Sequence, residues 1–140
     1  MSHITKIKTV IKSLSAVEAA CKKIGLHFVK GQKNYQWFGR WVGDSELPEG
    51  VEIKNLGTCD HAIKVPGASY EIGLRKHKDG YQVLYDSWGS GGLSKKKVNK
   101  FQQAYSVEAV KEQAKKKGMR VTEKKGKNDS IQLELVPIGG

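Results

Sequence analysis

Cys59, Asp60 and His61 place a thiol, a carboxylate and an imidazole within three positions, the residue types from which thiol nucleophiles are assembled. On an extended strand Cys59 and His61 fall on the same side. A working pair needs the base to meet the sulfur from a separate element, with a third group orienting it, so two neighbours on one strand read first as packed or surface residues. Metal chemistry has less support. No C-x-x-C, H-x-x-x-H or E-x-x-H spacing occurs, and His3, His27 and His77 are dispersed, so no metal and no cofactor are expected.

Two further groups of residues have the composition of binding sites. Gly89-Ser90-Gly91-Gly92 with Ser94 and Lys95 has the flavour of a phosphate loop, but Leu93 and Ser94 interrupt the Gly-Lys-Ser/Thr order that lets backbone N–H groups, lysine and hydroxyl converge on phosphates. It reads as a flexible break. Tyr35, Trp37 and Trp41, with Lys33 and Arg40 beside them, alternate as on a sheet that stacks single-stranded bases. Aromatic residues at period two are more often core. The same stretch, residues 37–48, supplies Trp37, Arg40 and Trp41 as a candidate surface for a partner protein.

The elements that position these residues follow from periodicity and punctuation. Residues 3–12 alternate Thr5, Ile7, Thr9 and Ile11 with polar interruptions and predict a strand. Ser15 and Glu18 have the spacing of a capping box, with Leu14 before them. Val17, Ala20, Cys21 and Ile24 then form the apolar stripe of a helix that stops at Gly25, with Lys22 and Lys23 at its negative end. Residues 26–29, 35–42 and 63–65 read as extended, and residues 43–50, around Pro48, as a loop. Tyr70, Ile72 and Leu74 against Tyr81, Val83 and Tyr85, joined around Asp79-Gly80, give the clearest hairpin. Asn99 with Gln102 predicts the start of a second helix that carries Phe101, Ala104, Tyr105, Val107, Val110 and Ala114 up to Gly118. Residues 119–122 and 131–136 close with another hairpin.

Strand, helix, antiparallel strands, helix and strand pair predict an α+β fold. The expected form is a two-layer sandwich: a mostly antiparallel sheet with two helices on one face and the other face open or loop-covered, related to the ferredoxin-like split βαβ. A chain of 140 residues suits one domain spanning residues 1–140. No apolar run is long enough to cross a bilayer and residues 1–12 do not form a signal peptide, so no membrane partner is expected. Cys21 and Cys59 are too few for a disulfide framework and are expected as free thiols.

Charge is the strongest compositional signal. The chain carries a net +11, and residues 95–127 hold twelve Lys and Arg against Glu108, Glu112 and Glu123, an excess of nine positive charges. A field concentrated on one segment steers an anionic partner. Lys95, Lys96, Lys97, Lys100, Lys111, Lys115, Lys116 and Lys117 are the candidate nucleic-acid-binding residues. The plainer reading is a solvated, lysine-rich face that maintains solubility.

Met1-Ser2-His3 with Ile7-Lys8-Thr9 and Ile11-Lys12, Tyr70-Glu71-Ile72-Gly73-Leu74, residues 81–88, Ala104-Tyr105 and Asp129-Ser130-Ile131-Gln132-Leu133 resemble a conserved hypothetical family of unknown function, plastid-encoded in algae and present in cyanobacteria and some bacteriophages. The resemblance implies a small intracellular accessory protein of the cytoplasm or plastid stroma and transfers no catalytic or binding residue. The expectation is therefore a non-enzymatic module whose partner is nucleic acid or an acidic protein surface, with no small-molecule substrate evident. The alternatives are an interaction accessory of a larger assembly acting through residues 37–48 and, last, a thiol-dependent enzyme.

Overall fold

The computed structural model describes residues 4–6, 11–37, 47, 50–87, 93–125 and 131–137. In chain order it contains β1 (Ile4–Lys6), α1 (Leu14–Ile24), β2 (His27–Lys30), a single 3-10 turn (Ile53–Asn55), β3 (His61–Lys64), β4 (Glu71–His77), β5 (Gly80–Asp86), α2 (Lys95–Lys116), β6 (Met119–Lys125) and β7 (Ile131–Pro137). Five strands form an antiparallel sheet in the order β1-β5-β4-β3-β2, and β6 and β7 form a separate two-stranded sheet. The class is α+β, as the sequence predicts.

Four successive antiparallel pairings leave β1 parallel to β2, at opposite edges, with α1 crossing between them. This is a split βαβ in widened form. A ferredoxin-like sheet separates the two parallel strands by one strand, whereas here the connected run β3-β4-β5 separates them by three. The second helix leads into β6, which leaves the main sheet and pairs with β7 instead.

Both faces of the main sheet are covered. On one, Ile63 pairs with Ile72 and Leu74 with Val83, and these side chains meet Ala16, Val17, Ala20 and Cys21 of α1 and Val98, Phe101, Ala104 and Tyr105 of α2. Phe101 is fully buried, worth about 1.5–3 kcal/mol over leaving its ring in water. The opposite face carries Ala62, Gly73 and Leu84 in register. Tyr35, Val51, Cys59, Trp37 and Leu56, from the irregular segment between β2 and β3, cover it.

Several boundaries differ from the sequence reading. Residues 35–37 are irregular rather than a strand, while Asn34 bridges Thr58. Residues 7–10 of the first predicted strand lie outside the described residues, as do residues 38–46 and 88–92, which include Arg40, Trp41 and the glycine-rich break. Ser13, not Ser15, caps α1: its hydroxyl accepts from the Ala16 N–H at 3.1 Å. Ser94, not Asn99, caps α2, accepting from the Lys97 N–H. The second helix therefore begins more than a turn earlier, and Lys95, Lys96 and Lys97 lie inside its first turn.

The two helix-ending glycines are where expected. Gly25 has φ +78° and Gly118 φ +70°, and a Cβ added at either would meet no atom within 4 Å. Substitution there strains only the backbone. Gly25→Val and Gly118→Val should each lower the unfolding free energy by about 1–2 kcal/mol, measured by urea denaturation. A change near zero at both would mean that neither helix needs the left-handed turn.

Candidate nucleic-acid interface

Helix α2 has 22 residues and is about 33 Å long at 1.5 Å per residue. Its sequence carries seven lysines and two carboxylates, and tertiary structure sorts them. Glu108 is turned inward, with 16% of its side chain exposed, beside Lys23 of α1 at 3.8 Å and Lys111 at 3.6 Å. Glu112 receives the Ser15 hydroxyl at 2.6 Å and the Ser13 hydroxyl at 2.7 Å. These bonds, Ser15 first, hold its carboxyl below the usual range. A negative group at the first turn of α1 also complements that helix's dipole.

Lys111 is drawn the same way. It pairs with Glu123 of β6, which also accepts from Lys23 at 3.0 Å. The Glu123 hydrogen bond is the main cause that raises the Lys111 ammonium, and the same bond lowers the Glu123 carboxyl. Lys111 thus ties α2 to the hairpin, and its charge is largely neutralised.

The other seven candidates, Lys95, Lys96, Lys97, Lys100, Lys115, Lys116 and Lys117, are exposed. The first turn of α2 contains no acidic residue, so three ammonium groups add to the positive end of the helix dipole. Lys115 and Lys116 occupy the last turn, where they complement the negative end. Lys96 and Lys100 are one turn apart on the same side. Lys97 and Lys115 are five full turns apart, which places them on one line about 27 Å long. The lysines therefore form two clusters joined along a helix rather than one compact patch.

The remaining candidates are dispersed. Cys59 is buried with Tyr35, Ala62 and Leu84, and its thiol donates to the Gln32 carbonyl at 3.2 Å. Burial, followed by the nearby Asp60 and Glu71, pushes the thiol up to about 12. β3 begins only at His61, so the shared strand face expected for Cys59 and His61 does not form. His61 instead sits in ring contact with Phe28 and Tyr81, and its Nδ1 accepts from the Gly31 N–H at 2.9 Å. Burial is the chief cause that lowers its pKa. Asp60 accepts from the Lys76 N–H at 2.6 Å. No dyad results.

Cys21 is also buried, with its thiol pushed up to about 12. Neither cysteine should react measurably with a disulfide reagent at mildly alkaline pH until the protein is unfolded, because the thiolate is the reactive form. Rapid labelling of the native protein would contradict this placement.

Trp37 is half-buried against the second core cluster, and a Cβ at Gly57 would fall 2.4 Å from its indole nitrogen. It packs against the core cluster that covers this face of the sheet. Among the described residues no group of three His, Cys, Asp or Glu could hold a metal, and no helix is long and apolar enough to cross a membrane.

The fold and the site define a basic α+β domain whose second helix turns its carboxylates inward and all its lysines but Lys111 outward. Residues 41–136 match the family described as protein of unknown function, DUF1257, and the chain belongs to that family. No curated protein and no solved structure matches it.

Proposed function

We propose that this protein is a non-enzymatic accessory factor that binds nucleic acid through the outer surface of α2. The observation that carries the reading is the sorting of charge on that helix. Glu108 faces Lys23 and Lys111, and Glu112 is turned to the Ser13 and Ser15 hydroxyls at the start of α1, so the exposed charged side chains of α2 are all lysine. Two clusters of like charge, about 27 Å apart on one line of the helix, fit a regular polyanion better than they fit a single acidic side chain. Lysine, a flexible point charge, binds phosphate without the forked geometry that arginine uses to read bases. Binding is therefore expected to be independent of sequence, and the sequence resemblance supports a cytoplasmic or plastid-stroma setting.

The test is titration of labelled duplex DNA and single-stranded RNA of mixed sequence at two salt concentrations. Five to seven phosphate contacts give a slope of log affinity on log salt of roughly −4.5 to −6.3 for duplex DNA. No detectable binding at low salt would refute the reading. An acidic protein surface would then be the partner class to examine.

A further inference from the structure

In the small sheet Met119, Val121 and Glu123 pair with Pro137, Leu135 and Leu133, and residues opposite one another in an antiparallel ladder share a face. That face is turned toward the helices, because Glu123 reaches Lys23 of α1 and Lys111 of α2. β6 packs against α2. β7 lies further out, and Leu135, on the apolar face, is 51% exposed, the one large hydrophobic side chain so exposed among the described residues.

β7 is also the least protected edge. Proteins blunt open edges with short strands or with lysine. The outer strands of the main sheet, β1 and β2, have three and four residues, and β6 carries Arg120, Glu123, Lys124 and Lys125. β7 is seven residues long with one charge, Glu134, which already pairs with Lys124 at 3.5 Å. Among the described strands it has a single neighbour, β6. In a chain of net charge +11, this strand contains no Lys or Arg, so two copies meet here with the least local repulsion.

We propose that β7 is the interface of a twofold homodimer, in which β7 of a second copy adds antiparallel to this edge and completes a four-stranded sheet. A twofold axis perpendicular to the sheet keeps both apolar faces on one side. Three central registers satisfy that condition. Centring on Glu134 opposes two carboxylates, and centring on Leu135 sets Glu134 against Val136 of the second copy. Centring on Leu133 opposes Leu133 with itself, Gln132 with Glu134 of the second copy, and position 131 with Leu135 of the second copy. Only this last register pairs amide with carboxylate and apolar with apolar, and it covers the exposed Leu135.

The test uses the full chain, nuclease-treated and at high salt, so that bound nucleic acid cannot mimic association and the outcome is separate from the lysine reading. Sedimentation equilibrium from low to high micromolar concentration should give twice the 15.5 kDa chain mass. Leu135→Lys should give a monomer with an unchanged far-ultraviolet spectrum, because that side chain is already half in water. Leu133→Cys should form a disulfide-linked dimer on mild oxidation, since opposed residues on paired strands come within disulfide range and the two native cysteines are buried. Thr122→Cys on β6 should not. Should Leu133→Cys fail to fold, the exposed pair Gln132→Cys with Glu134→Cys probes the same register. A monomer at every concentration, a dimer that survives Leu135→Lys, or an assembly larger than a dimer would each overturn the proposal.

Discussion

Gly73→Ala lowers the unfolding free energy by about 2–3 kcal/mol, at the upper end of what one added methyl costs in a packed core. The new Cβ would lie 2.3 Å from Cδ1 of Tyr35 and 2.8 Å from two further ring atoms. Tyr35 is only 2% exposed, and its ring is held among Val51, Cys59, Ala62 and Leu84, so relief requires the whole cover of that sheet face to shift. Tyr35→Ala alone leaves a cavity and costs about 3–5 kcal/mol, taking the range for large aromatic truncations. The double variant should cost less than the sum of the two by at least about 1 kcal/mol, because the added methyl then occupies space the ring vacated. Urea denaturation of the four proteins measures this. Strict additivity would mean that Tyr35 does not rest on Gly73. Since α2 packs on the other face, the folded fraction of Gly73→Ala should bind polyanions as the parent does.

That contact also shows where sequence reading stops. The central hairpin is legible because Tyr70, Ile72, Leu74, Tyr81, Val83 and Tyr85 alternate around Asp79-Gly80, and pairing is local. Helix α1 is legible from Val17, Ala20, Cys21 and Ile24 with Gly25 behind them. Gly73 inside a strand and Tyr35 nearly forty positions away have no local relation, so nothing in the sequence marks residues 35–37 as a cover instead of a strand. The cap of α1 fails for the same reason. Ser13 and Ser15 are equivalent candidates by local rules, and Ser15 has the better box with Glu18. The choice is fixed by residues more than ninety positions away: the Tyr105 hydroxyl accepts from the Lys12 and Ser13 N–H groups at 3.0 and 3.3 Å, and Glu112 takes both serine hydroxyls.

The candidate interface divides in the same way. Lysine content and helical spacing predict an exposed basic surface, and seven of the eight positions lie on it. Lys111 does not, because its partner Glu123 comes from β6 and is shared with Lys23 of α1, and that approach depends on how the hairpin folds back. A helical wheel cannot contain that information. The inward turn of Glu108 and Glu112 is equally non-local, yet it is what leaves the outer surface with one sign of charge.

Replacing Lys95, Lys96, Lys97, Lys115 and Lys116 together with Gln should abolish most nucleic-acid affinity at low salt while leaving the fold intact. All five are exposed, and exposed substitutions of this kind usually change stability by within about 0.5 kcal/mol. The helix dipole makes the net effect smaller still. Removing three positive charges from the first turn of α2 favours the helix, and removing two from its last turn disfavours it, by a few tenths of a kcal/mol to about 1 kcal/mol each. Binding has no such offset. Each lost phosphate contact reduces the slope of log affinity on log salt by about 0.9 for duplex DNA, so a variant lacking five contacts should show a slope shallower by roughly 4.5. Lys111→Gln provides the contrast, because its ammonium pairs with Glu123 and Glu108. That change should lower stability and leave the slope unchanged. Fluorescence anisotropy across a salt series, with a thermal melt of each protein, separates the two patterns. If the five-lysine variant binds with parental affinity and slope, the outer surface of α2 is a solvated face and the nucleic-acid reading falls.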